Sequence, residues 1–153
     1  MKKLLIVDGH AMIHRAYHAL PPLRTKAGIP TNAIYGFFGM LYTAIQTMMP
    51  DYLAICFDTP VPTFRKKLLA EYQSKRPELD DRLVEQFALI KELLDAANIA
   101  RLEAPGFEAD DVIGTLAVRF ANKNIEVHIL TGDKDILQLV NGHVTVIMPK
   151  VGL

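Results

Sequence analysis

The sequence predicts an α/β fold, a three-layer arrangement with a mainly parallel sheet flanked by helices. Short aliphatic runs alternate with longer stretches of helical apolar spacing, which is the strand–helix alternation of a parallel sheet. The first two runs are continuously apolar, as strands buried on both faces are. Acids follow several of the runs directly, at the strand ends where such sheets gather their ligands.

Leu4–Val7 reads as the first buried strand. Beyond Asp8 and Gly9, histidines recur every four residues at His10, His14 and His18, so a helix there would put three imidazoles on one face. Ala33–Met49 has helical spacing and stops at Pro50. Its Gly36 and Gly39 follow no strand and so form no dinucleotide fingerprint. Tyr52–Phe57 is the second strand, with Cys56 as plain core. Leu83, Phe87, Ile90, Leu93 and Leu94 stripe a helix over about 80–97. Ile99–Leu102 is a weaker strand, and Val112, Ile113, Leu116, Ala117 and Phe120 mark a helix after Glu108. Ile125–Leu130 is the third clear strand. Ile136 and Leu139 suggest a short helix, and Val144–Met148 a last weak strand. With 153 residues and no linker or repeat, one domain over 1–153 is expected.

Composition excludes a disordered or collagen-like chain, since half the residues are hydrophobic and 22% are charged. The single cysteine rules out an intramolecular disulfide and fits a reducing compartment. The apolar run after Lys3 is too short for a signal peptide or a membrane span, so a cytoplasmic protein is expected. Seventeen basic residues balance seventeen acids, but the two are segregated. From Thr63 to Arg76, five cations (Arg65, Lys66, Lys67, Lys75, Arg76) face one acid, Glu71, and are interleaved with Phe64 and Tyr72.

The acids gather at strand ends instead. Asp8 ends the first strand, Asp58 follows the second, Asp133 and Asp135 follow the third, and Glu108, Asp110 and Asp111 open a helix. Lys134 is the only cation within these motifs. Singly, each acid has an ordinary use as a turn or cap residue. Together they would repel one another strongly unless a cation joined them. Carboxylates without cysteine suit Mg²⁺ or Mn²⁺, and a cluster of this size can hold two ions about 4 Å apart for phosphodiester hydrolysis. Glu108 and Asp111 share a helix face, while Asp110 points about 100° away from Asp111. Zinc on the histidine row is set aside because the sequence names no second partner for the imidazoles. Arg15, on the same helix, is a candidate phosphate contact. A basic, aromatic-bearing stretch beside an acidic metal site is what a nuclease needs.

The motifs Leu5-Ile6-Val7-Asp8-Gly9, Arg15-Ala16-Tyr17-His18-Ala19, Thr63-Phe64-Arg65, Glu71-Tyr72, Glu108 to Ala117 and Thr131-Gly132-Asp133-Lys134-Asp135 resemble, in order, the flap endonuclease family, which includes the N-terminal 5'-3' exonuclease domain of bacterial DNA polymerase I. The resemblance implies a PIN-like core with a helical arch over about 59–80, and metal-dependent cleavage of DNA at 5' ends and 5' flaps in replication and repair. It implies metal ligation by all seven acids, contacts of Arg15 and Arg76 with the scissile phosphate, and stacking of Tyr72 on a base. DNA binding would involve Phe64, Arg65, Lys66, Lys67 and Lys75, with Thr31 and Tyr35 on the duplex side. A polymerase domain in the same polypeptide and a cytoplasmic, nucleoid-associated location would follow. Gln73 stands where the family usually has lysine, and the family continues beyond Leu153 with further aspartates and a helix-hairpin-helix segment. An N-terminal piece that cuts poorly alone is therefore expected. The competing expectations are a non-catalytic DNA-binding fragment of the same fold, a PIN-type ribonuclease and a receiver domain.

Overall fold

β1 (Lys2–Asp8) is the central strand of a five-stranded sheet in the order β3-β2-β1-β4-β5. Its partners are β2 (Tyr52–Cys56), β3 (Ala100–Leu102), β4 (Ile125–Leu130) and β5 (Val144–Ile147), and every pairing in the sheet is parallel. The structure, a computed structural model, describes residues 1–69, 71–72 and 78–149.

Alternate side chains of β1 feed two separate cores. Leu5 and Val7 face α1 (Gly9–Ala19), α2 (Asn32–Met48) and α4 (Asp81–Ala96), among Ile13, Phe37, Phe87 and Ile90. Leu4 and Ile6 face the opposite way, onto Ile113 and Ala117 of α5 (Ala109–Phe120). The two cores make the three layers that the sequence predicts, and burial on both faces explains the unbroken apolar run Leu4–Val7 of β1. The expected short helix is a 3₁₀ turn, Lys134–Leu139, anchored by buried Ile136. The basic stretch contributes one five-residue helix, α3 (Phe64–Leu68), among the described residues. Gln73, Lys75 and Arg76 lie outside the described residues.

Two glycines set close approaches. A Cβ on Gly36 would come within 2.9 Å of Ala16 Cβ, where α1 and α2 cross. At Gly9 a Cβ would stand 2.9 Å from the backbone oxygen of Cys56 and from the ring of Phe57. Gly9→Ala should therefore cost about 3 kcal/mol by forcing β1 and β2 apart. Urea unfolding of that variant checks it, and a loss below about 0.5 kcal/mol would mean that the strand ends yield freely.

Candidate metal centre

The first strand delivers its acid by a tight local device. Asp8 is 3% exposed and caps α1, accepting the Ala11 N–H at 3.0 Å. Its other oxygen accepts the hydroxyl of Thr131 at 2.7 Å. Thr131 ends the neighbouring β4 and is wholly buried, and its Oγ1 also accepts the Asp133 N–H at 3.0 Å. The ends of β1 and β4 are thus tied where the strand order reverses, the crevice at which open parallel sheets bind ligands. Burial raises the Asp8 carboxyl above its ordinary value, and these two hydrogen bonds offset part of the rise.

Asp58 follows β2, and its Oδ1 accepts the Ala109 N–H at 2.7 Å, fastening the start of α5 to the sheet edge. Glu108 caps α5 reciprocally with Asp111, whose Oδ2 accepts the Glu108 N–H at 3.0 Å. Asp133 caps the 3₁₀ turn by accepting the Asp135 N–H. Asp8, Asp58, Glu108, Asp110 and Asp133 line one cavity of about 770 Å³. Of the seven acids read from the sequence, the structure brings these five together. Asp111 and Asp135 do not line that cavity, and Asp135 is exposed.

The two adjacent helix acids have opposite environments. Burial first, and then Asp8, Asp133, Asp58 and Glu108, push the Asp110 carboxyl up to about 7. Asp111 is held below its ordinary value by Arg65, whose Nη1 and Nη2 donate to its two oxygens at 2.6 and 2.8 Å. The offset read from helical spacing separates a carboxylate that faces other acids from one that faces a cation. The sequence reading missed Arg65 as a partner of the acids, because 46 residues separate it from Asp111 and nothing local signals the contact.

The remaining expected residues are distributed unevenly. Tyr72 reaches the site, its hydroxyl donating to Glu108 Oε2 over a long 3.4 Å. Phe64 is partly exposed, 5.7 Å from the Phe107 ring, and Lys66 and Lys67 are exposed. Arg15 is half-buried on α1. Thr31 precedes α2, and Tyr35 on its first turns is 70% exposed. His10 and His14 pack beside Phe87, with His10 Nδ1 3.6 Å from Asp58 Oδ2, and His18 is exposed.

Among the described residues, no three His, Cys, Asp or Glu side chains form a ready-made ligand set for an ion. The donors nevertheless fit a hard divalent cation in chemistry. They are all carboxylate oxygens, and Asp110 is raised by burial first and then by four like charges, which a cation would neutralise. Closing the set requires side-chain rotation.

Residues 3–152 match the family described as the 5'-3' exonuclease, N-terminal resolvase-like domain. A 5'-3' exonuclease of Aquifex aeolicus is 50% identical over 149 residues, covering 97% of this chain and 52% of that protein. DNA polymerase I of Chloroflexus aurantiacus is 48% identical over 145 residues, 94% of this chain and 15% of the polymerase. The chain thus spans about half or less of the length of these relatives. The solved T5 D15 protein, co-crystallised with metal ions, shares the fold with a TM-score of 0.74 at 19% identity, covering 96% of this chain and 55% of that one.

Proposed function

The chain belongs to the family of 5'-3' exonuclease N-terminal, resolvase-like domains, and from that membership we propose that it carries the metal site of a nuclease cutting DNA phosphodiester bonds at 5' ends and 5' flaps. The observation that carries the reading is the gathering of five acids from four segments into one cavity at the end of the sheet. Asp8, Asp58, Glu108, Asp110 and Asp133 would hold Mg²⁺ or Mn²⁺, which supplies an activated water and charge for the leaving oxygen when bound. Asp111 and Asp135, which do not line the cavity, are assigned as further ligands, Asp111 reaching an ion beside Glu108 once its side chain turns from Arg65.

The chain's own residues do the rest. Thr131 and the Ala11 N–H fix the orientation of Asp8, so that this acid needs no reorganisation. Asp58 and Asp133 each accept a backbone N–H with one oxygen, which holds both side chains at the cavity wall. Tyr72 brings a ring to the rim through Glu108, where a base can stack. Lys66, Lys67, Lys75, Arg76 and Arg15 are assigned to DNA phosphates, and Thr31 with Tyr35 to the duplex. DNA with a 5' flap or 5' end is the proposed partner, in the cytoplasm, with a polymerase domain in the same polypeptide. Among the described residues no helix is long and apolar enough to cross a membrane.

Incubation with a labelled 5' flap should release the flap when Mg²⁺ or Mn²⁺ is present and not with chelator. Asp110→Asn should lower single-turnover cleavage by about a hundredfold or more. A chain that binds the flap with metal present and never cuts it would instead be a DNA-binding module of the same fold.

A further inference from the structure

Arg65 belongs by sequence to the basic stretch, yet its guanidinium lies against the acids. Nη1 and Nη2 form a two-pronged bond with Asp111 at 2.6 and 2.8 Å, and Nη1 stands 3.4 Å from Glu108 Oε2. The guanidinium also covers the ring of Phe64, 4.6 Å from its centroid. Such forks are the strongest geometry for an arginine–carboxylate pair. Asp111 is already engaged on both oxygens, since Oδ2 accepts the Glu108 N–H as well.

A divalent ion placed on either oxygen of Asp111 would face this guanidinium across a single carboxylate. The two cations repel at that range, so Arg65 and the ion cannot both keep Asp111 at full strength. The geometry points to Arg65 as a positioning residue that competes with the divalent ion for Asp111, so that ion loading frees Arg65 for a DNA phosphate. This rests on the nuclease reading above. The freed guanidinium stands on α3, in the stretch that carries Lys66 and Lys67. Metal and DNA should then favour each other's binding, each raising the other's affinity by the same factor.

Calorimetric titration of Mn²⁺ without DNA tests the competition. Arg65→Gln should bind Mn²⁺ about tenfold more tightly than the parent, because a charge-assisted fork no longer opposes the ion. Arg65→Lys keeps the charge and loses the fork, so it should fall between the two and covers the case that the glutamine variant folds poorly. In ¹⁵N spectra the Arg65 guanidinium signals of the parent should sharpen towards those of a freely rotating arginine as Mg²⁺ is added. Equal or weaker Mn²⁺ binding in both variants would overturn the competition and make Arg65 a support of the site. Absence of Mn²⁺ binding in all three proteins would overturn the nuclease reading itself.

Discussion

Asp110→Asn should make the metal-free protein more stable at pH 8, by about 1.5 kcal/mol, while removing most of the cleavage proposed for it. Asp110 is lifted from an ordinary 3.8 to about 7, which in a fully desolvated site corresponds to roughly 4 kcal/mol. The carboxyl is only half-buried, so solvent screening reduces that to about 2. Losing an acid from the first turn of α5 gives back about 0.5 through the helix dipole. The sign follows from proton linkage. The native state holds the Asp110 proton more tightly than the unfolded chain does, so stability falls as pH rises from 3.8 to about 7. The asparagine carries no such penalty. Its advantage should be full above pH 7 and gone near pH 4, seen as a shift in melting temperature of roughly 5 °C at pH 8. Saturating Mn²⁺ should shrink the difference by stabilising the parent. Equal melting of parent and variant at both pH 8 and pH 4 would mean that neither burial nor the neighbouring acids disfavour the ionised Asp110.

The same reasoning assigns the opposite sign to the neighbouring residue. Asp111 is held low by Arg65, so its removal costs an ion pair and relieves nothing. A simple count of clustered acids would treat the two alike. Burial and four neighbouring acids on one, and a guanidinium on the other, separate a destabilised carboxylate from one paired with the basic stretch. The destabilised one sits beside hydrogen-bonded neighbours, Asp8 and Thr131.

What could be read from the sequence follows from how far each signal reaches. Leu4–Val7 and the latter part of Tyr52–Phe57 were legible as strands because burial on both faces leaves no room for polar residues, and Ile125–Leu130 because its aliphatic and β-branched residues outweigh Glu126 and His128. Asp8, Asp58 and Asp133 were legible because parallel strands deliver their ends to one edge, whatever the helices do. The 100° offset between Asp110 and Asp111 was legible too, but not which of them faced the cavity, since that depends on how α5 rolls on Ile113 and Ala117. Asp135 looked equivalent to Asp133. Asp133 could be read as a cap of the short helix through Ile136 and Leu139, and is one, but that Asp135 points to solvent depends on the turn of the chain. The Arg65 fork is a tertiary contact without local signature.

Gln86→Leu should be the most damaging single change away from the acids, lowering stability by about 4 kcal/mol. The start of α2 has no side-chain cap of its own, for Thr31 makes no such bond. Gln86, fully buried on α4, supplies one from 53 residues away: its Oε1 accepts the Ala33 N–H at 2.7 Å and the Ile34 N–H at 3.2 Å. Its Nε2 donates to Asn32 Oδ1 and to the Arg82 carbonyl, and Asn32 Nδ2 in turn donates to the Tyr17 carbonyl. One amide thus binds α2 and α4 together and reaches α1 through Asn32. Leucine is close in volume, so little of the loss would come from a cavity. It would come from two helix N–H groups and an amide oxygen left buried without partners, each worth about 1–3 kcal/mol. Gln86→Glu separates acceptor from donor. It keeps an oxygen for Ala33 and Ile34 at the positive end of α2, but sets a second oxygen against those of Asn32 and Arg82. Urea unfolding should therefore rank the parent above both variants. At low pH, where the glutamic acid is neutral and can donate again, Gln86→Glu should recover towards the parent and Gln86→Leu should not. A leucine variant within about 1 kcal/mol of the parent would show that water or another side chain can cap α2, and that the amide network does not hold the three helices together.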